Sequence, residues 1–484
     1  MRNILLIGTA WLTIGASAVA PLPTARPMTA NDRAAGAKAH PQLLAEFGGL
    51  YEGPQAAYVT RVGQKVAMQS GLADTQGAFT VSLLNSPVSN AFAIPGGYVY
   101  VTRELLALMN DEAELASVMG HEVGHVAARH AQQRNSAATK GTLGTILGTV
   151  LGAVIAGNDG AKLGQQLAGS LAQRYVLKYS RSQEYQADDL GVSYLGKAGY
   201  DPMASSTMLA SLAAQTSLDA QLQGKGNNQL PEWASTHPDP ASRVSRAAQR
   251  ARTTAATANA RNRDTFLAAI NGVLYDDDPH QGVIDGRSFR HPDLKLAFDA
   301  PVGFAMANTP QAVIISSSAG QAQFTSAAYD GDMKTYVDGV FRALGGQTAL
   351  DYGSVATRQV NGINAAYASA SANTQSGPVI VTVYAYELAS NSAFHFVAIT
   401  PLRSEGAFNT LFESFKRLSP SEVASIRPKK VNVVTVKSGD TVASLAARMA
   451  YADARVERFR ILNALAPGAA LKPGQKVKII VSAP

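Results

Sequence analysis

Between residues 111 and 133 the apolar positions Leu115, Val118, Met119, Val123 and Val126 recur three to five apart. That spacing gathers them on one face of an α-helix. Asn110 or Asp111 stands where an N-cap belongs, and acids fill the first turn, where the helix dipole favours negative charge. A helical period also runs through "VTRVGQKVAMQSG", "SQEYQADDLGVSYLGKAGYDP" and the Ala- and Arg-rich stretch near 241–270. "FTVSLLNS" and "YVYVTREL" read as short strands, and Pro95-Gly96-Gly97 turns the chain between them.

The pattern changes after "NGVLYDDDPHQG", which reads as a domain boundary near 271–282. From 286 to 420, "FAMANTPQAVIISSS", "QAQFTSAAY", "GPVIVTVYAYEL" and "FHFVAITPL" are strand-like, while "YVDGVFRALGG" and "AFNTLFESFKRL" are helix-like. This predicts an α+β accessory domain. "SPSEVASIRPKK" is a polar linker, and the last unit, 431–484, reads strand, helix, helix, strand.

Two apolar segments carry no charge after their first residues. "MRNILLIGTAWLTIGASAVAPLP" has a basic start, an apolar run and small residues near its end. It predicts a signal peptide, 1–18, with a cut after Ala20 as the alternative. "GTLGTILGTVLGAVIAG", 141–157, predicts a close-packed helix; peripheral membrane contact is the second reading, since a span needs about 20 residues.

Composition narrows the chemistry. The 484 residues contain no cysteine, which excludes disulfides, thiolate metal sites and cysteine nucleophiles. The formal net charge is +7. Its densest run, Arg243, Arg246, Arg250, Arg252, Arg261 and Arg263, reads as a solvated helix face, with anionic lipid or cell-wall polymer as a second reading. No aromatic residues interleave it, which argues against nucleic acid.

The sharpest signal is "MGHEVGHVAARH". On a helix His121 and His125 lie one turn apart on the same face, and two imidazole nitrogens can then reach one ion at ~2.0–2.1 Å, as zinc requires. Glu122 sits about 100° round the helix and reaches a water on that ion without binding it. Gly124 costs about 1 kcal/mol relative to alanine; close approach of another element would explain it. A catalytic site needs a third protein ligand. His130 falls nine residues after His121, points away on a continuous helix, and reads as a surface or satisfied structural histidine. Glu184 and Asp188, four apart, suit a ligand and a carboxylate orienting an imidazole; the same spacing suits a surface acid pair.

"HEVGH", "SRSQEYQADDLG", "STHPDPASR" and "NAFAIPGGYVYV" together resemble the M48 family of zinc metallopeptidases, closest to its exported, soluble bacterial members. The resemblance covers roughly residues 40–255, within a domain expected over 40–265. It implies a mainly helical zincin-type domain with a small sheet, one Zn2+ per chain, His121, His125 and Glu184 as ligands, Glu122 as the catalytic carboxylate, and Asp188 in support. "NAFAIPGGYVYV" would give an edge strand beside the cleft. His237, in "STHPDP", is a candidate to cap the ion or assist the transition state, and Arg243 to neutralise the oxyanion. The terminal unit resembles a LysM-like module, which implies peptidoglycan binding. The 286–420 region resembles Mog1/PsbP-like domains. The remaining histidines, His40, His280, His291 and His395, read as structural or surface residues.

The function these readings predict is a periplasmic zinc endopeptidase, membrane- or cell-wall-associated in the second readings above, acting on unfolded or misassembled envelope proteins. A peptidoglycan peptide hydrolase and a chaperone or binding module with a latent zinc site are the alternatives.

Overall fold

The structure is a computed structural model describing residues 27–73, 76–133, 179–222, 237–256, 259–345, 350–374 and 377–483. The expected signal peptide, 1–18, and the apolar segment 141–157 lie outside these residues. Among the described residues no helix is long and apolar enough to cross a membrane.

Among the described residues, eight helices and a three-stranded sheet form the region that contains the HEVGH motif. Helix α1 (Ala30–Glu46) opens on a capping box, with Thr29 accepting from the Asp32 amide and the Asp32 carboxylate accepting in return. Helix α2 (Pro54–Ala67) starts with proline in its first turn, where the missing N–H costs nothing. Strands β1 (Thr80–Leu84), β2 (Ala91–Ile94) and β3 (Tyr98–Thr102) follow. Their order is β1-β3-β2, with β1 parallel and β2 antiparallel to β3, so among the described residues β2 is an edge strand. Short α3 (Arg103–Leu108) leads into α4 (Glu112–Ala127), capped by Asp111. Then come α5 (Arg181–Lys197), α6 (Ala204–Leu222), α7 (Pro240–Thr253) and α8 (Arg263–Ile270).

Helix α4 is buried on every side except at Val126, so it is the central helix of the domain rather than an amphipathic surface one. It packs against α2, α5 and α6 and against β2. It breaks within the span 111–133, and helical backbone resumes at 130–133. The chain leaves the helix after Ala127, and Arg129 takes a left-handed φ of 56°.

The basic run is not a plain solvated face. Arg243 is buried, Arg246 grips Asp189 with two bonds of 2.6 Å, and Arg261 pairs with Asp111 at 2.9 Å. Arg243 and Arg246 tie α7 to α5, and Arg261 ties the segment before α8 to the N-cap of α4.

The accessory region is built on antiparallel strands. β5 (Val283–Asp285), β6 (Ser288–His291), β7 (Leu296–Asp299) and the later β15 (Lys416–Arg417) form a small sheet. The large sheet contains β8 (Ala305–Asn308), β9 (Val313–Ser317), β10 (Gly320–Ser326), β11 (Ala356–Val360), β12 (Ile363–Thr374), β13 (Gly377–Ala389) and β14 (Ser392–Pro401). Its order is β11-β12-β13-β14-β10-β9-β8. Helix α9 (Met333–Gly345) buries Tyr336, Val337, Val340 and Phe341 against one face; α10 (Asn409–Ser414) brings Leu411 and Phe412 to the other.

The C-terminal unit pairs β16 (Lys429–Thr435) with β17 (Lys476–Ser482) around α11 (Val442–Ala446) and α12 (Arg455–Leu462). It does not stand apart. The segment expected as a boundary loop supplies β4 (Leu274–Tyr275), which pairs with β16. One continuous core joins Val477, Ile480, Phe459 and Leu462 to Leu105, Leu106, Leu108 and Met109. Lys478 is fully buried, and its ammonium donates to the carbonyls of Ala107, Leu108 and Met109 at the end of α3. Those carbonyls have no partner within the helix, so the lysine serves as a cap supplied from another unit.

Candidate metal centre

Three helices or their ends supply the site. His121, Glu122 and His125 come from α4. Glu184 and Asp188 come from α5, which begins at Ser180 with a capping box to Gln183. His237 lies just ahead of α7, whose N-cap is Asp239 with a left-handed φ of 60°, and Arg243 lies in the first turns of α7.

Helices α4 and α5 cross closely because small residues meet. A Cβ on Gly124 would stand 2.9 Å from the Ala187 carbonyl oxygen, and one on Gly191 would stand 3.0 Å from the His121 amide nitrogen. This is the close approach expected for Gly124. It brings Glu184 over the two histidines.

The donor atoms converge. His121 Nε2 lies 3.0 Å from His125 Nε2 and 3.5 Å from Glu184 Oε2. His125 Nε2 is 3.4 Å from Glu184 Oε1. His237 Nδ1 is 3.3 Å from His121 Nε2 and 3.1 Å from Glu184 Oε1. One ligand atom from each of the four residues lies within 4.8 Å of all the others, and all four side chains are buried. Three imidazoles and a carboxylate are a donor set for a divalent transition metal.

Neighbours aim these donors. Asp188 Oδ1 is 3.0 Å from His121 Nδ1, which turns the Nε2 lone pair inward. Arg243 holds Asp188 with two bonds of 2.8 and 2.6 Å and ion-pairs with Glu184. Behind His125 stands a relay that the sequence reading missed. His130 Nδ1 is 2.8 Å from His125 Nδ1, and His130 Nε2 is 2.8 Å from Gln186 Oε1. With Gln186 Oε1 accepting, His130 carries its proton on Nε2 and accepts the Nδ1–H of His125. His125 Nε2 is left bare toward the cluster. Tyr179 stacks on the His125 ring at 3.8 Å.

The electrostatics suit a cation. Burial depresses both α4 imidazoles and keeps His125 well below its ordinary pKa. At His121 the hydrogen bonds to Asp188 and Glu184 outweigh burial and hold the pKa up to about 9. The cluster therefore favours positive charge at His121. Burial would raise Glu184, but the charges of His237 and Arg243 hold its carboxyl well below the usual range, leaving it ionised. Glu122 is different. Burial raises it, and its Oε1 has no hydrogen-bond partner among the described residues. That oxygen is 3.6 Å from His237 Nε2 and faces the cluster. A buried, unpartnered carboxylate oxygen beside a metal-type donor set is where a proton-transferring group belongs.

Residues 54–251 match the model of peptidase family M48, and residues 434–479 match that of the LysM domain. The chain carries an M48 peptidase domain. This domain is 32% identical over 217 residues to a beta-barrel assembly-enhancing protease of Yersinia pestis, covering 43% of this chain and 42% of that one. It is 33% identical to the protein of the same name in Escherichia coli K12, covering 40% and 38%. It is also 33% identical over 166 residues to the mitochondrial metalloendopeptidase OMA1 of Bos taurus, covering 34% and 31%. The chain thus spans less than half the length of each of these relatives. The M48 domain is a metallopeptidase domain with a His-rich, Glu-containing cluster able to hold a metal ion.

Of the residues singled out in the sequence, His121, Glu122, His125, Glu184, Asp188, His237 and Arg243 are all brought to this one place. The guanidinium of Arg243 is engaged by Asp188 and Glu184 rather than presented to open space.

Proposed function

We propose that the chain is a zinc-dependent endopeptidase of the cell envelope. The observation that carries this reading is the pairing of a four-residue donor cluster with a buried Glu122 oxygen that has no hydrogen-bond partner among the described residues. His121, His125 and Glu184 would hold the ion. Zinc bound there supplies Lewis acidity, bringing the pKa of water toward ~7 and polarising a carbonyl. Glu122 takes the proton of the attacking water and passes it to the leaving nitrogen. Asp188 keeps His121 in the right tautomer. Arg243, expected to meet the oxyanion, fits better as the residue that locks Asp188 and Glu184 in place.

Edge strand β2 packs beside α4 and has no second strand partner among the described residues. A peptide added there gains backbone hydrogen bonds with little side-chain selectivity. That suits unfolded or misassembled envelope proteins as substrates, in keeping with the names of the bacterial relatives. The LysM domain adds peptidoglycan contact, and the 141–157 segment adds peripheral membrane contact, in a periplasmic setting without nucleic acid. We read 286–420 as a Mog1/PsbP-like accessory domain.

The test is Glu122→Gln in a casein cleavage assay with metal analysis. Zinc stays and cleavage drops by about 10²-fold or more; cleavage at the wild-type rate would remove Glu122 from the mechanism.

A second reading concerns regulation of the same site. His237 is buried within the donor set. As a fourth ligand it would fill the position that an open catalytic centre keeps for water. The chain would then be a latent peptidase, its centre shut by the loop before α7.

A further inference from the structure

The accessory region contains a cavity of about 310 Å³, far from the metal cluster in sequence. That is within the size range of small-ligand sites, roughly 300–1,000 Å³. Its floor is one face of the large sheet. In the register of β12 and β13, Tyr367 lies opposite Tyr384 and Ser369 opposite Thr382. On β14, Ala398 lies opposite Thr382, and Thr400 opposite Ile380. Side chains alternate along strands, so all of these project to the same side. The opposite wall comes from α10 and the turn before it, with Asn409, Phe412 and Glu413.

Three features define what the cavity takes. The first is an aromatic stack with Tyr367 as its outer ring. Tyr367 and Tyr384 stack with centroids 5.0 Å apart and planes 5° from parallel, and Phe412 stacks on Tyr384 at 4.8 Å. The second is a set of hydroxyls with spare capacity. Tyr384 is only 5% exposed, and its phenolic oxygen has no hydrogen-bond partner among the described residues. A buried hydroxyl is normally paired, so this one has capacity for a further hydrogen bond. Ser369 and Thr382 bond to each other at 2.8 Å, yet each hydroxyl can make further bonds. The third is the balance of charge. Arg358 stands 3.9 Å from Glu413, and Glu405 adds a second carboxylate, so no excess positive charge selects an anion.

These features exclude the common alternatives. The backbone of the floor is already paired within the sheet, so a peptide cannot add there as a strand. The hydroxyls and rim charges are wrong for an acyl chain. What remains is a neutral ring that is apolar on its faces and hydroxylated at its edges. We propose that this cavity binds a segment of neutral glycan, with sugar rings against Tyr367 and ring hydroxyls on Tyr384, Ser369 and Thr382.

Titration calorimetry of the full chain with cellohexaose, maltohexaose and chitohexaose tests this. At least one should bind saturably. Tyr384→Phe, which removes only the unpaired oxygen, should weaken that binding about tenfold. Its thermal midpoint should stay level or rise, because no hydrogen bond is lost in the free protein. Tyr367→Ala should abolish binding while casein cleavage stays at the wild-type rate. No saturable binding of any of the three sugars into the millimolar range would overturn the proposal. So would binding unchanged in both variants, which would put the glycan on the LysM domain instead.

Discussion

His237 decides how many protein donors the cluster offers an ion. With it the cluster has four, and without it three. Three protein ligands and an open position are the catalytic arrangement, and four are the closed structural one. His237→Ala should therefore raise casein cleavage several-fold and weaken zinc binding. A fall in cleavage with zinc retained would instead make His237 an aid to the transition state. The contrast with His130 shows what the sequence conveys at this scale. The spacing of His121, Glu122 and His125 is legible because helical geometry is periodic, so three positions imply one face. His130 was hidden because the helix ends at Ala127 and the chain turns through a left-handed Arg129. No glycine or proline marks that turn. Once the turn is made, His130 swings back onto His125 instead of pointing away. The role of Gln186 follows only from that reversal.

At the scale of elements, the crossing of α4 and α5 sets the ligand geometry. Gly120, Gly124 and Gly191, with Ala187, let the two backbones touch. Propensity favours alanine over Gly124 by about 1 kcal/mol. The contact opposes it, since the new Cβ would meet backbone at 2.9 Å, which cannot rotate aside. Overpacking of this kind typically costs about 1–3 kcal/mol. Gly124→Ala should thus lower the thermal midpoint and weaken zinc binding, because Glu184 moves with α5. A midpoint raised in line with propensity would mean the helices can part freely. The elements themselves were largely readable from periodicity. Their closeness was hinted at only by a glycine where a helix does not want one.

For the whole molecule, the terminal LysM domain is part of the peptidase core. Lys478 caps α3 one residue before the Asn110-Asp111 entry to α4. Arg263 reinforces the junction, bonding both the Asn110 carbonyl and the Lys476 carbonyl. Burial holds the Lys478 ammonium well below its ordinary pKa, so three carbonyls and the core around them define its place. Lys478→Met would take this donor from the Ala107 and Met109 carbonyls, while Leu108 keeps the Asn110 side-chain amide, at a cost of about 1–3 kcal/mol or more. Calorimetry should show the M48 and LysM domains melting together, with the shared transition lowered in this variant. Two separate transitions, with the M48 one unmoved, would contradict the docking. This arrangement was not legible in the sequence. A polar linker and a change of composition suggest a tethered module, whereas the joining strand β4 is only two residues long and lies in a stretch rich in turn signals.

The central claim is that one ion is gripped by His121 and His125 of α4 together with Glu184 of α5. The direct measurement is the zinc-to-protein ratio of purified wild type beside Glu184→Ala. The account predicts about one zinc per chain in the wild type and a ratio well below that in the variant. Full zinc retention in Glu184→Ala, or a wild type that takes up no metal, would contradict it.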